Sequence, residues 1–176
     1  MPAGLIVTSA VFQVIVVDDF EPWRNFVRST LKENYPSWLV SEASDELVAV
    51  HKAHELQANL IILDISLPKL HGIEAARLIR ERCPDAKLLF LTEHRSAEII
   101  QEALRLGANG YIVKSDAIEL LRAIEAVQEN RIFLSKSLAA SSLDLPKCDE
   151  DSEHWIHPTL GGFRRSRPSN ALGQHT

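Results

Sequence analysis

Five polar side chains stand at the downstream ends of short apolar runs: Asp18 and Asp19 after "VIVV", Asp64 after "LIIL", Thr92 after "LLFL" and Lys114 after "GYIV". Three carboxylates gathered at one place repel one another unless a cation joins them. Hard oxygen ligands with room for water select Mg²⁺ or a similar ion. Asp18 and Asp19 then read as a metal seat. With a divalent cation and an ammonium beside it, Asp64 stays ionised and can act as a nucleophile, while the Thr92 hydroxyl and the Lys114 ammonium hold the oxygens of an incoming phosphoryl group. The chemistry of the set is that of an aspartyl-phosphate site.

Such a set works only if the runs lie side by side. Short β-branched and apolar runs recur at 14–17, at 39–41 with its flanks, and at 60–63, 88–91 and 111–113. A longer stretch of helical periodicity follows each of them. The helices carry their own punctuation. Pro22 suits the first turn of the first, with Phe26, Val27, Thr30 and Leu31 as its stripe. Ser44 is the expected N-cap of the second, Gly72 precedes the third, Ser96 opens the fourth and Asp116 is expected to cap the fifth. Gly107 and Asn130 suit left-handed residues just past the ends of the fourth and fifth. Alternation at this spacing predicts a parallel sheet with helices on both faces, because parallel strands need right-handed crossover connections. Ligands of such sheets sit beyond the carboxyl ends of the strands, which is where the five polar residues fall.

At 176 residues, 45% of them hydrophobic, and with a net charge of −5, the chain suits one domain with extensions and is not built to sit on phosphate backbones. Cys83 and Cys148 form neither a disulfide framework nor a metal knuckle, which suits a reducing compartment and a cytoplasmic location. The N-terminal apolar stretch is cut short by the aspartates, so no membrane span is expected. His51 and His54 read as a solvated helix face. "LGANG" reads as a helix end and a turn, not a phosphate cradle.

In order and spacing, "VIVVDDFEP", "LIILDISLPKLHGIEAA", "LLFLTEH" and "GANGYIVKSDAIELLRAI" resemble the receiver domain of two-component response regulators, over about residues 12–135. The resemblance implies a flavodoxin-like, CheY-like doubly wound sheet of five parallel strands in the order 2-1-3-4-5 with five helices. It would be preceded by an extension over residues 1–11 and followed by a disordered tail over 136–176. It also implies roles. Asp64 is the phosphoacceptor, Asp19 a direct Mg²⁺ ligand, Asp18 a ligand through water, and the backbone carbonyl of Ser66 a further ligand. Thr92 and Tyr111 resemble a switch pair, and Lys114 a phosphoryl-oxygen ligand. The implied partners are a sensor histidine kinase or phosphotransfer protein and an unknown downstream protein. A homodimer through the outer helices is open by resemblance only.

Three residues depart from the family pattern. Glu93 follows Thr92 where a small residue is usual and would modulate access to the acceptor. His71 replaces the usual Asp or Asn, a local capping change. Ser115 follows Lys114 in place of proline, which resembles receivers joined to a LuxR-type helix-turn-helix. About 40 residues follow Ser135, against roughly 60 needed to bury such a domain, so direct DNA binding is not expected. Two alternatives stand beside the phosphoacceptor reading. One is a pseudo-receiver that binds partners without phosphorylation. The other is an aspartyl phosphatase, disfavoured because its second Asp should stand two residues from the nucleophile.

Overall fold

The computed structural model describes residues 11–68 and 71–139. The elements in chain order are β1 (Gln13–Val17), α1 (Glu21–Asn34), β2 (Leu39–Ala43), α2 (Glu46–Glu55), β3 (Leu60–Leu63), α3 (Gly72–Arg82), β4 (Lys87–Thr92), α4 (Ala97–Arg105) and β5 (Gly110–Val113). A 3-10 turn over Lys114–Glu119, α5 (Leu120–Gln128), β6 (Phe133–Leu134) and α6 (Lys136–Ala139) complete it. Every strand pair is parallel, in the order β2-β1-β3-β4-β5-β6.

Successive strand residues face opposite sides of the sheet, so each central strand feeds two cores. Ile15, Val17, Ile61 and Leu63 pack with Ala76 and Ile79 of α3 and Ile100 of α4. Val14, Val16, Leu60 and Ile62 pack with Val27 and Leu31 of α1 and Ile124 and Val127 of α5. Burial on both faces is why these strands read as continuous apolar runs. Within the α1 stripe, Val27 and Leu31 are buried but Phe26 is exposed, because it faces a groove and not the sheet.

Several local expectations hold. Pro22 lies in the first turn of α1, and the Ser96 side chain accepts the Ile99 N–H at the start of α4. Gly107 and Asn130 take the left-handed conformation, with φ of 79° and 60°. Two caps differ. Asp45, not Ser44, is the N-cap of α2: its backbone is extended and its carboxylate accepts the Val48 N–H at 2.8 Å. Asp116 does not cap α5. It lies inside the 3-10 turn, α5 begins at Leu120, and its carboxylate instead accepts from the backbone N–H and the hydroxyl of Ser137. Those donors come from a segment expected to lie beyond the domain. The sheet accordingly has a sixth strand and the chain a sixth helix among the described residues. The Ser135 N–H donates to the Tyr111 carbonyl at 3.0 Å, and the Ser135 hydroxyl accepts from the Val113 N–H at 3.2 Å. The helical turn at 136–139 stands where an unstructured tail was expected to begin, and the rest of that tail lies outside the described residues, as does most of the N-terminal extension.

His51 pairs with Glu55 at 3.4 Å on an exposed helix face. No helix among the described residues is long and apolar enough to cross a membrane.

Candidate functional site

The register brings the strand ends together. Val17 is paired with Leu63, and Thr92 with Val113, so Asp18 and Asp64 leave adjacent strands side by side and Lys114 leaves the strand next to Thr92. The Asp64 N–H donates to the Val17 carbonyl at 2.8 Å, which holds the two exits in step. On the far side of Asp64 the start of α3 is pressed against β3: a Cβ on Gly72 would lie 2.3 Å from the Asp64 carbonyl oxygen. Glycine is required there by space, not by its φ.

One carboxylate oxygen from each of Asp18, Asp19 and Asp64 lies within 4.8 Å of the others. Asp18 and Asp64 are buried at 4% and 3% exposure, whereas Asp19 is exposed. The buried Lys114 ammonium spans the two buried acids, 2.7 Å from Asp18 Oδ2 and 2.8 Å from Asp64 Oδ2. Their other oxygens accept backbone N–H groups, Asp18 Oδ1 from Phe20 at 2.8 Å and Asp64 Oδ1 from Ser66 at 3.1 Å. Arg24 closes the loop from outside, its guanidinium donating to the carbonyls of Asp18 at 2.8 Å and Asp19 at 3.2 Å.

The electrostatics show a site short of positive charge. Burial pushes the Asp18 carboxyl above its ordinary range, and the hydrogen bond from Lys114, the Phe20 N–H and the Lys114 charge only partly offset that. Burial also pulls the Lys114 ammonium down, but its hydrogen bonds to Asp18 and Asp64 and their charges outweigh the loss and leave it above its ordinary value. One ammonium thus serves three carboxylates. A hard divalent cation beside exposed Asp19 would relieve the deficit, and an all-oxygen donor set with one open side suits Mg²⁺, which keeps several of its waters.

Thr92 and Tyr111 are fully buried and meet at one residue. The Thr92 hydroxyl oxygen accepts the His94 N–H at 3.3 Å, and the Tyr111 hydroxyl donates to the His94 carbonyl at 3.0 Å. Burial, with the Asp64 charge behind it, pushes the Tyr111 phenol far above its ordinary value, so it remains a donor. Ser66 is exposed, its hydroxyl 3.0 Å from His94 Nε2. Glu93 is exposed and makes no hydrogen bond or ion pair among the described residues. His71 is the N-cap residue of α3 but makes no side-chain capping bond.

Three residues at the site escaped the sequence reading. Arg24 and Trp23, whose ring lies 5.3 Å from the Lys114 ammonium, belong to the first turn of α1, and nothing in their spacing shows that this turn leans back over the strand end. His94 lay inside "LLFLTEH", but its part comes mainly from its backbone, on which residue type has no bearing.

The response regulator receiver domain family matches residues 14–125. The chain is 30% identical over 123 residues to the transcriptional regulatory protein DegU of Brevibacillus brevis, covering 69% of this chain and 52% of that protein. To the chemotaxis protein CheY of Halobacterium salinarum it is 35% identical over 102 residues, covering 58% of this chain and 83% of the relative. The crystal structure of a LuxR-family two-component response regulator from Aurantimonas sp. is similar with a TM-score of 0.68 at 34% identity, over 73% of this chain and 93% of that one. The chain spans 52% to 60% of the length of DegU and three similar curated regulators. The match over 14–125 takes in all five polar residues at the strand ends, and by it the chain belongs to the response regulator receiver domain family.

Proposed function

We propose that this receiver is a phosphoacceptor: Asp64 takes a phosphoryl group from the phosphohistidine of a sensor histidine kinase or phosphotransfer protein, and the resulting change of conformation controls a downstream protein. The observation that carries this reading is the buried Lys114 ammonium held across Asp18 and Asp64, with Asp19 beside them. An Asp64 oxygen attacks phosphorus, the phosphorus–nitrogen bond breaks, and the electron pair leaves with the donor imidazole. The product is an acyl phosphate on Asp64. Lys114 stabilises the charge that builds on the transferring oxygens, and the Thr92 hydroxyl, already at the end of β4, is a donor for one of them. Asp18, Asp19, Asp64 and the Ser66 carbonyl would hold Mg²⁺, whose chemistry is to offset the charge of acceptor and phosphoryl group together. Tyr111, already fully buried, is the second half of the switch. The output is a shift of population between two conformations, not catalysis of an external reaction, and the proposed setting is the cytoplasm.

Full-length protein given Mg²⁺ and acetyl phosphate should gain one acid-labile acyl phosphate, and Asp64→Asn should abolish it. Labelling that survives Asp64→Asn would place the acceptor elsewhere. Glu93 is exposed and bonded to none of these groups among the described residues, which supports a site open to the phosphodonor. Were Glu93→Ala needed before any labelling appeared, the partner-binding reading without phosphorylation would replace this one.

A further inference from the structure

We infer that Trp23 is a positioning residue for phosphoryl transfer, holding the Lys114 ammonium at the acceptor through its indole ring. The inference rests on the phosphoacceptor reading of Asp64. The Lys114 Nζ has two carboxylate oxygens at 2.7 and 2.8 Å and the centre of the Trp23 ring at 5.3 Å. An indole face attracts a cation through its quadrupole, and the attraction grows as water is removed. Lys114 is 6% exposed, so water has little share in it.

The ring is itself held in place. Pro22 sets the first turn of α1, and Phe26 meets the Trp23 ring edge-on at 5.5 Å and 88°. The neighbouring Arg24 ties the same turn to the carbonyls of Asp18 and Asp19. One helical turn thus fixes the metal-seat loop by its guanidinium and the phosphoryl-binding ammonium by its indole. Trp23 and Lys114 both border a groove of about 510 Å³ shared with Phe26, Ala117, Ile118 and Leu121, so the ring and the ammonium lie along one surface.

The reason this matters is the job Lys114 must do. Its four-carbon stem is flexible, and in the resting site one of its two carboxylate contacts, Asp64, changes charge when it is phosphorylated. A ring keeps no such account of the reaction. It attracts the ammonium equally before and after transfer and keeps it near the acceptor, which shortens the reorganisation that transfer requires.

The test uses the full chain with two substitutions, Trp23→Leu, which keeps apolar volume without a π face, and Trp23→Phe, which keeps a smaller one. Initial rates of acyl-phosphate formation are measured against acetyl phosphate concentration with saturating Mg²⁺. The Leu variant should lose about tenfold in the rate at saturating donor, with Mg²⁺ affinity and thermal midpoint matching those of the Phe variant, while Phe stays within about threefold of the parent. In parallel, the Lys114 ammonium signal is followed by nitrogen-15 NMR without any phosphodonor. It should persist in the parent and the Phe variant and be lost to exchange with water in the Leu variant. Equal rates and equal ammonium signals in Leu and Phe would overturn the inference and leave Trp23 as packing. Failure of the parent itself to be labelled would overturn the phosphoacceptor reading, and the ammonium signal alone would then decide whether Trp23 holds Lys114.

Discussion

Lys114 concentrates the electrostatics of the site in one atom. Removing it while keeping its length, in Lys114→Met, leaves Asp18 and Asp64 buried beside each other without a counter-charge. Breaking a buried pair in that way costs roughly 3 kcal/mol. Urea denaturation in metal-free buffer should show a loss of that size, and added Mg²⁺ should recover part of it, while acyl-phosphate formation falls sharply. At this scale the sequence was informative wherever a residue's place followed from a strand end. Asp18, Asp19, Asp64, Thr92 and Lys114 come together because the sheet is parallel, and the register does the rest. Trp23 and Arg24 were hidden because they reach the site through the tilt of a helix, and periodicity reports which face of a helix is buried but not where its first turn points.

Among the elements, α3 and the segment after α5 are each held by a specific contact. A methyl group added at Gly72 meets backbone atoms of Asp64 and Ile65 at 2.3 and 2.6 Å, and backbone cannot step aside as a side chain can. Gly72→Ala should therefore cost about 2 to 3 kcal/mol in chemical denaturation and lower the labelling of Asp64 as well, since the displaced atoms adjoin the acceptor. The turn after β5 carries the pH response. Hydrogen bonds from the Ser137 hydroxyl and N–H hold the Asp116 carboxyl below its ordinary value of 3.8. A carboxyl depressed in the folded state adds stability that is present above the unfolded value and lost as pH falls through the folded one. The thermal midpoint of the parent should thus fall more steeply below pH 3.8 than that of Asp116→Asn, and the two should run parallel above pH 5 to 6. The expected fifth helix was displaced for the same reason. Asp116 fits an N-cap by type, but in the fold it is engaged by donors 21 residues away, and local preference yields when a tertiary partner is available.

For the molecule as a whole, the two-faced sheet supplies the stability and the acidic end draws on it. Three carboxylates near one ammonium are a standing cost that a bound cation removes, and a ligand that binds only the folded state raises stability by mass action, about 2.7 kcal/mol at a hundred times its dissociation constant. Mg²⁺ should accordingly raise the thermal midpoint of the parent. Asp19→Asn should lose most of that rise without a comparable change in the metal-free midpoint, because Asp19 is exposed and its removal leaves no buried group unpaired. The parallel sheet with helices on both faces could be read from the chain because its alternation of short apolar runs with helices admits few topologies, and the order of its first five strands came from the family resemblance. The sixth strand could not. Two residues, Phe133 and Leu134, give no periodicity, and their pairing with β5 is fixed by the Phe133 N–H on the Asn109 carbonyl and by the N–H and hydroxyl of Ser135 on the β5 backbone.

The close approach of α3 to β3 at Gly72 also sets where the domain can give way. With helix backbone resting on the Asp64 carbonyl, β3 would have no room to recoil under the bulk and charge of the phosphoryl group proposed for Asp64. On the opposite flank, Thr92 and Tyr111 are both tied to the backbone of a single half-buried loop residue, His94. On the phosphoacceptor reading, the flank packed by backbone would stay in place and the flank tied by two hydrogen bonds to His94 would yield, so the displacement proposed for the switch should run toward β4 and β5.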